Sequence, residues 1–144
     1  MRLLLDEDVP LPLLRLMQTL LRGHEVEHVS TVGWRGKKDR PLYRDAAERH
    51  FDAILTNDIS QFNDPAECRA IQRSGLHHIT YELADGLDGL ALASAAICAA
   101  IRPIVAELDR APSQRLVRIR GVAPSRRRFG ITNPATDPPS PYWP

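Results

Sequence analysis

Apolar and polar positions along this chain switch repeatedly between strand-like and helix-like patterns. Leu3-Leu4-Leu5 is a continuous apolar run that stops at three acids, Asp6-Glu7-Asp8. Such a run reads as a strand buried on both faces, as in a parallel sheet. After Pro10-Leu11-Pro12, which starts a helix, Leu13, Leu14, Met17, Leu20 and Leu21 recur at helical spacing, and Gly23 supplies the stop. Glu25-Val26-Glu27-His28-Val29 alternates and predicts a short second strand, followed by a Gly-containing loop from Ser30 to Lys38. Asp39 and Pro41 read as the cap and first turn of a second helix through Leu42, Tyr43, Ala46 and Ala47. Phe51 to Thr56 predicts a third strand, ending at Asn57-Asp58. Asp64-Pro65-Ala66-Glu67 has capping-box spacing and opens a third helix that runs to about Ser74, closed by Gly75. His77 to Tyr81 reads as a fourth strand, and about Asp88 to Arg110 as the longest helix, which Pro103 should kink or split. Arg115 to Arg120 alternates arginine with Leu116, Val117 and Ile119 and predicts a fifth strand at a sheet edge.

Strands alternating with helices predict an α/β, three-layer α/β/α architecture with a central, mostly parallel sheet of about five strands. The predicted domain spans 1–121, and 122–144 is a basic, then Pro-rich, C-terminal tail. With 144 residues, 43% hydrophobic and 26% charged, one globular domain with a sizeable core is expected. Charge is unevenly spread. Residues 1–110 hold 13 Lys/Arg against 17 Asp/Glu, a net −4, whereas 111–144 hold six Arg against one Asp, a net +5. Asymmetry of this kind points weakly to a polyanionic or acidic partner. Cys68 and Cys98 have neither disulfide-framework nor zinc spacing. Met1-Arg2 leads straight into the first strand, which argues against a signal peptide, and the apolar stretch Leu87 to Ile101 is short for a bilayer. No membrane role and a cytoplasmic setting are the expectation.

In a parallel sheet, Asp6 at the end of strand one, Asp39 at the start of the helix after strand two and Asp58 after strand three fall on one edge. Ligands of α/β sheets bind just beyond the strands' carboxyl ends. Oxygen-only donors suit hard cations such as Mg2+ or Mn2+, which activate water and stabilise charge on a phosphodiester. Without an ion, clustered acids push at least one carboxylate pKa upward. Plainer roles compete: Asp8 could cap a helix near Pro10, Asp39 could cap the second helix, and Asp58 could cap a turn into Ser60.

Residues 1 to about 62 resemble the PIN-like nuclease superfamily, in particular its small bacterial toxin-type members. The resemblance is carried by Leu3-Leu4-Leu5-Asp6-Glu7-Asp8 with Pro10, by Gly23-His24-Glu25-Val26 through His28-Val29, and by Gly36-Lys37-Lys38-Asp39. Ile54-Leu55-Thr56-Asn57-Asp58 with Phe62 completes it. Residues 75–120 fit the family's remaining elements loosely. The resemblance implies a Mg2+- or Mn2+-dependent ribonuclease whose catalytic and metal-binding acids match Asp6, Asp39 and Asp58. Glu7 and Asp64 are further candidate ligands. It also implies RNA as substrate and, for a toxin, an antitoxin protein as partner. One departure matters: the second Asp that often follows two residues after the third-strand Asp is here Ser60, so either Asp64 substitutes or the site has one acid fewer.

Trp34, Arg35, Lys37 and Lys38 lie in the loop that leads to Asp39, where cations could hold phosphates and Trp34 could stack on a base. Arg126, Arg127 and Arg128 form a second basic patch for RNA or an acidic protein surface. The Pro-rich tail, with Tyr142 and Trp143 near its end, predicts docking on a second copy of the chain, giving a homodimer, or on a partner, with disorder as the alternative. Two rival functions stay open. One is a PIN-like binding module weakened in catalysis, which Ser60 favours. The other is a phospho-receiver domain, against which stands the lack of any Lys after Lys38.

Overall fold

The opening leucine run becomes β1 (Arg2–Leu5), the second strand of a six-stranded sheet in this computed structural model, which describes residues 1–121 and 129–144. In chain order there follow α1 (Leu13–Leu20), β2 (Glu25–His28), α2 (Asp39–Glu48), β3 (Ala53–Thr56), a 3-10 turn (Ile59–Asn63) and α3 (Pro65–Ser74). Then come β4 (His77–Tyr81), α4 (Gly86–Leu108), β5 (Leu116–Ile119) and β6 (Phe129–Thr132). The strand order is β2-β1-β3-β4-β5-β6, with every pair parallel except β5 with β6. The α/β sandwich expected from the pattern is therefore present, with one more strand than expected.

Alternation along the strands divides the core into two layers. Leu3, Leu5, Ala53, Leu55, Ile79, Tyr81, Val117 and Ile119 face α1 and α4, where Met17, Ile97, Ile101 and Ile104 are fully buried. Leu4 and Ile54 face α2 and α3, meeting Leu42, Tyr43, Ala46 and Ile71. β3 is buried along its whole length, the expected state of a central parallel strand. Local signals set the helix ends. Asp64 caps α3 by accepting from the amides of Ala66 at 2.6 Å and Glu67 at 3.2 Å, Pro65 occupies its first turn, and Gly75 ends it in the left-handed region at φ 70°.

Three expectations need correction. Regular structure does not end at Gly121: Phe129-Gly130-Ile131-Thr132 alternates and pairs antiparallel with β5, placing Phe129 in the core. α4 is not split by Pro103, which sits on its exposed side within one continuous helix. By length and composition α4 could cross a membrane, yet its Ala93, Ile97, Ala100, Ile101, Ile104 and Leu108 face is buried in the domain, and no membrane span is established. The C-terminal segment, expected on a second copy or a partner, packs on its own domain within the single chain. Trp143 packs against the α2/α3 core with its ring 6.5 Å from that of Phe62, and Gln72 Nε2 donates to the Pro144 carbonyl at 3.3 Å. Arg126, Arg127 and Arg128 lie outside the described residues.

Candidate functional site

The turn after β1 is held from three sides. The Asp6 amide donates to the Leu55 carbonyl at 2.9 Å, extending the β1–β3 ladder one step beyond the strand. His28 Nε2 lies 2.8 Å from the Val9 carbonyl while its Nδ1 accepts from the Ser30 amide at 3.1 Å. That pairing sets the tautomer with the proton on Nε2. Tyr81 donates its hydroxyl to the Asp8 carbonyl at 3.1 Å. Carboxylates on such a braced turn keep fixed positions even when they repel one another.

Thr56, the last residue of β3, joins two acidic segments. Its hydroxyl donates to Asp8 Oδ2 at 2.9 Å and accepts from the Asp58 amide at 3.1 Å, while the Asn57 amide donates to the same Asp8 oxygen at 3.0 Å. Asp8 Oδ1 is buried and has no hydrogen-bond partner among the described residues. Asp58 Oδ1 accepts from the amide and hydroxyl of Ser60 at 2.9 and 2.5 Å, as the capping reading foresaw. Asp39 is different. Lys38 occupies the cap position of α2, and Asp39 lies inside the first turn with no capping bond.

The carboxylates act on one another. Burial first, then the Asp6 charge, pushes the Asp8 carboxyl up to about 6. Asp6 is raised by burial and by the charges of Asp58 and Glu7, against the Glu7 amide that donates to its Oδ1 at 2.7 Å. Asp39 is raised by burial and by Asp6 and Asp58, partly offset by the Gln61 side chain. The structure thus brings Asp6, Asp39 and Asp58 within electrostatic range at one sheet edge and adds Asp8. Glu67 is raised by burial, then Asp39, so it borders the same cluster. Beneath lies a buried polar layer: the Tyr43 hydroxyl donates to Gln61 Oε1 at 2.6 Å and meets His78 Nε2 at 2.9 Å. Burial holds His78 neutral, with its pKa pushed down to about 4.

Other expected residues go elsewhere. Glu7 is exposed and accepts from the Gly36 amide at 2.8 Å, pinning the loop before α2. Asp64 spends Oδ1 on its helix cap. Trp34 is tucked against Phe51, ring centroids 6.2 Å apart, with Lys37 and Arg49 over its faces, and Lys37 pairs with Asp45. Only Arg35 and Lys38 of that loop group are exposed. Asp8, Thr56, Gln61 and Glu67 were not singled out from the sequence. Asp8 was weighed there only as a helix cap, Thr56 stood inside the third-strand motif, and Glu67 in the capping box of α3.

Among the described residues, no group of three or more His, Cys, Asp or Glu is closed around a point that could hold an ion. The donor chemistry nonetheless fits a hard divalent cation. Every donor is oxygen, one buried carboxylate oxygen is unpartnered, and burial with mutual repulsion raises three carboxyls. Magnesium needs only one or two carboxylates, since it keeps several waters.

Sheet order alone does not exclude a phospho-receiver, because β2-β1-β3-β4-β5 is also the flavodoxin-like order. A receiver would turn a strand-four hydroxyl and a strand-five lysine to a phosphoryl group, but the Thr80 hydroxyl donates to the Val117 carbonyl at 3.2 Å, and β5 offers arginine rather than lysine. A protein-family model described as a PIN like domain matches residues 1–82. No curated protein and no solved structure matches the chain.

Proposed function

Since the chain belongs to the PIN-like domain family, whose members are often nucleases that use divalent metals and bind nucleic acid, we propose that it is a Mg2+- or Mn2+-dependent endoribonuclease. The observation that carries this reading is the placement of Asp6, Asp39 and Asp58, with Asp8 beside them, at the carboxyl edge of a parallel sheet, where burial and neighbouring acids raise the Asp6, Asp8 and Asp39 carboxyls. Asp6, Asp39 and Asp58 are the proposed catalytic acids and metal holders. Asp8 is the added candidate, while Glu7 and Asp64 are weaker ones because both are exposed, whereas Asp6, Asp8, Asp39 and Asp58 are half-buried. When bound, the ion lowers the pKa of a water and stabilises charge on the phosphodiester.

The chain's own residues supply position. Thr56 ties the Asp8 carboxylate to the Asp58 backbone, so the turns after β1 and β3 move together. His28 and Tyr81 hold the first turn against β2 and β4. Glu7 holds the loop that delivers Asp39. Exposed Arg35 and Lys38 are the residues of that loop free to meet RNA phosphates. A toxin role, an antitoxin partner and a cytoplasmic setting are carried by the resemblance of the first 62 residues and by composition, and a homodimer by the Tyr142-Trp143 tail alone.

The test is ribonuclease assay of the purified chain with Mn2+, Mg2+ or EDTA, beside Asp6→Asn. Cleavage with either metal, abolished by EDTA and reduced at least about a hundredfold in Asp6→Asn, is expected. Cleavage that ignores both changes overturns the assignment. A second reading, a binding module without turnover, is favoured by Ser60, which holds Asp58 Oδ1 with two hydrogen bonds. RNA binding without cleavage under any metal would establish it.

A further inference from the structure

Helices α2 and α3 fill the sheet face above β1 and β3, whereas the same face of β4, β5 and β6 carries, among the described residues, a groove of about 420 Å³. Its floor is polar. The register sets Thr56, Thr80, Arg118 and Gly130 in one row across β3, β4, β5 and β6. Arg118 therefore stands two strand spacings, about 10 Å, from the residue that anchors Asp8 and Asp58. Arg120 lies two residues on, toward the carboxyl edge where the acids sit, and has no ion-pair partner among the described residues. Arg118 pairs with Glu82, but both side chains are more than half exposed, so the pair is weak and exchangeable. One wall is the 3-10 turn that begins immediately after Asp58 and contributes Ile59, 46% exposed, and Phe62. The C-terminal segment closes the other side at Pro139.

We propose that this groove is the track for a single strand of RNA entering the acidic cluster, with Arg118 and Arg120 on its phosphates and the exposed Ile59 against its bases. This rests on the nuclease reading and gives it a substrate path. Two arginines on the groove floor, with the turn of Ile59 leading back to Asp58, suit a polymer whose phosphodiester is wanted at the acids. A groove between a sheet and one short turn suits one strand, whose unstacked bases can meet an apolar wall. Single-strand binding by basic grooves with apolar or aromatic walls is tolerant of sequence, so little base preference is expected. The loop of Trp34 cannot provide this stacking surface, because Trp34 is enclosed between Phe51, Lys37 and Arg49.

The test is binding of a fluorescent oligouridylate in EDTA, where no cleavage intervenes, over a salt series. Arg118→Ala/Arg120→Ala should weaken binding about tenfold or more at 0.1 M salt and flatten the log–log salt slope by about 1.4, at about 0.7 per lost contact. Gly130→Ile narrows the floor without changing charge. The glycine φ is not left-handed and a Cβ there meets only the Arg120 guanidinium at 3.6 Å, so this variant should fold and bind more weakly. Glu82→Gln frees Arg118 and should bind more tightly. Thermal melts of all variants should match wild type within a few degrees. Unchanged affinity and slope in the double variant overturns the track, as does polyglutamate binding that the arginines control while RNA binding ignores them. Arginine-dependent RNA binding by a chain with no metal-dependent cleavage keeps the track and removes the nuclease reading. Cleavage with arginine-independent binding does the reverse.

Discussion

Asp8 holds one carboxylate oxygen on Thr56 and Asn57 and leaves the other buried without a partner, beside the charge of Asp6. Its pKa is about 6 in the folded chain against 3.8 when exposed. Between those values the folded state binds the extra proton, so this group favours folding in acid and loses that contribution as pH rises through about 6. His78 runs the other way: it is buried neutral with a pKa of about 4 against 6.5, so its contribution is present above 6.5 and is lost as pH falls toward 4. The two oppose each other over nearly the same window, and the wild-type stability curve in EDTA should be flatter than either alone. Asp8→Asn keeps an acceptor for Thr56 and Asn57 but removes the charge. Near neutral pH in EDTA it should be more stable than wild type by about 1–2 kcal/mol, a limit of roughly 3 kcal/mol reduced for partial solvent screening. The advantage should vanish below about pH 4, leaving the His78 loss on acidification unmasked. Urea melts across the pH range check this; a neutral-pH difference of zero would mean that the Asp8 carboxyl is not raised in the folded chain. Asp6, Asp39 and Asp58 were legible because strand ends and helix starts place residues on a known edge. Asp8 was not, since Pro10 makes a helix cap the plainer reading of an acid just before it. Thr56 and Gln61 could not be, because their partners lie in other elements and only the packed fold brings them together.

At the scale of elements, the helices and the five parallel strands followed from periodicity and caps, and the departures have local causes. Phe129 to Thr132 has a strand's alternation, but it is short and bounded by arginines on one side and prolines on the other, so composition hid it. The 3-10 turn after Asp58 carries no hydrophobic period, and its existence depends on the Asp58–Ser60 cap. Pro103 breaks a helix only when its ring and missing amide meet a helix with little else to hold it. Here the flanking Ile101, Ile104 and Val105 are buried and outweigh that cost. The C-terminal segment is the element whose role changed most. Trp143 inserts beside Phe62, and Ser140 lies near Cys68, with the hydroxyl oxygen 3.8 Å from the sulfur. Trp143→Ala should therefore destabilise the isolated chain by about 1–3 kcal/mol without altering its mass in solution. Loss of self-association with no change in the melting temperature would instead assign Trp143 to an interface between chains.

At the scale of the whole molecule, the sheet gathers acids from four separate segments, Asp6 and Asp8, Asp39, Asp58, and Glu67, at one end of a domain whose first 110 residues already carry net −4. The folded state concentrates charge that the unfolded chain would disperse, so folding works against this repulsion. A cation that binds only the folded site reverses it and adds stability by mass action, about 2.7 kcal/mol at one hundred times its dissociation constant. For a domain of this size that corresponds to a rise in melting temperature of roughly 5–10 °C. Manganese at saturating concentration should give that rise in wild type, and Asp6→Asn/Asp58→Asn should show little of it. The double variant should also start from a higher melting temperature in EDTA, since two of the repelling charges are gone. Both signs are needed: a general salt effect would raise both proteins alike, and acids that merely cap turns would leave the variant less stable in EDTA. Differential scanning fluorimetry with Mn2+, Mg2+, Ca2+ and matched ionic strength separates these cases, and equal shifts in the two proteins would show that the cluster does not hold the ion.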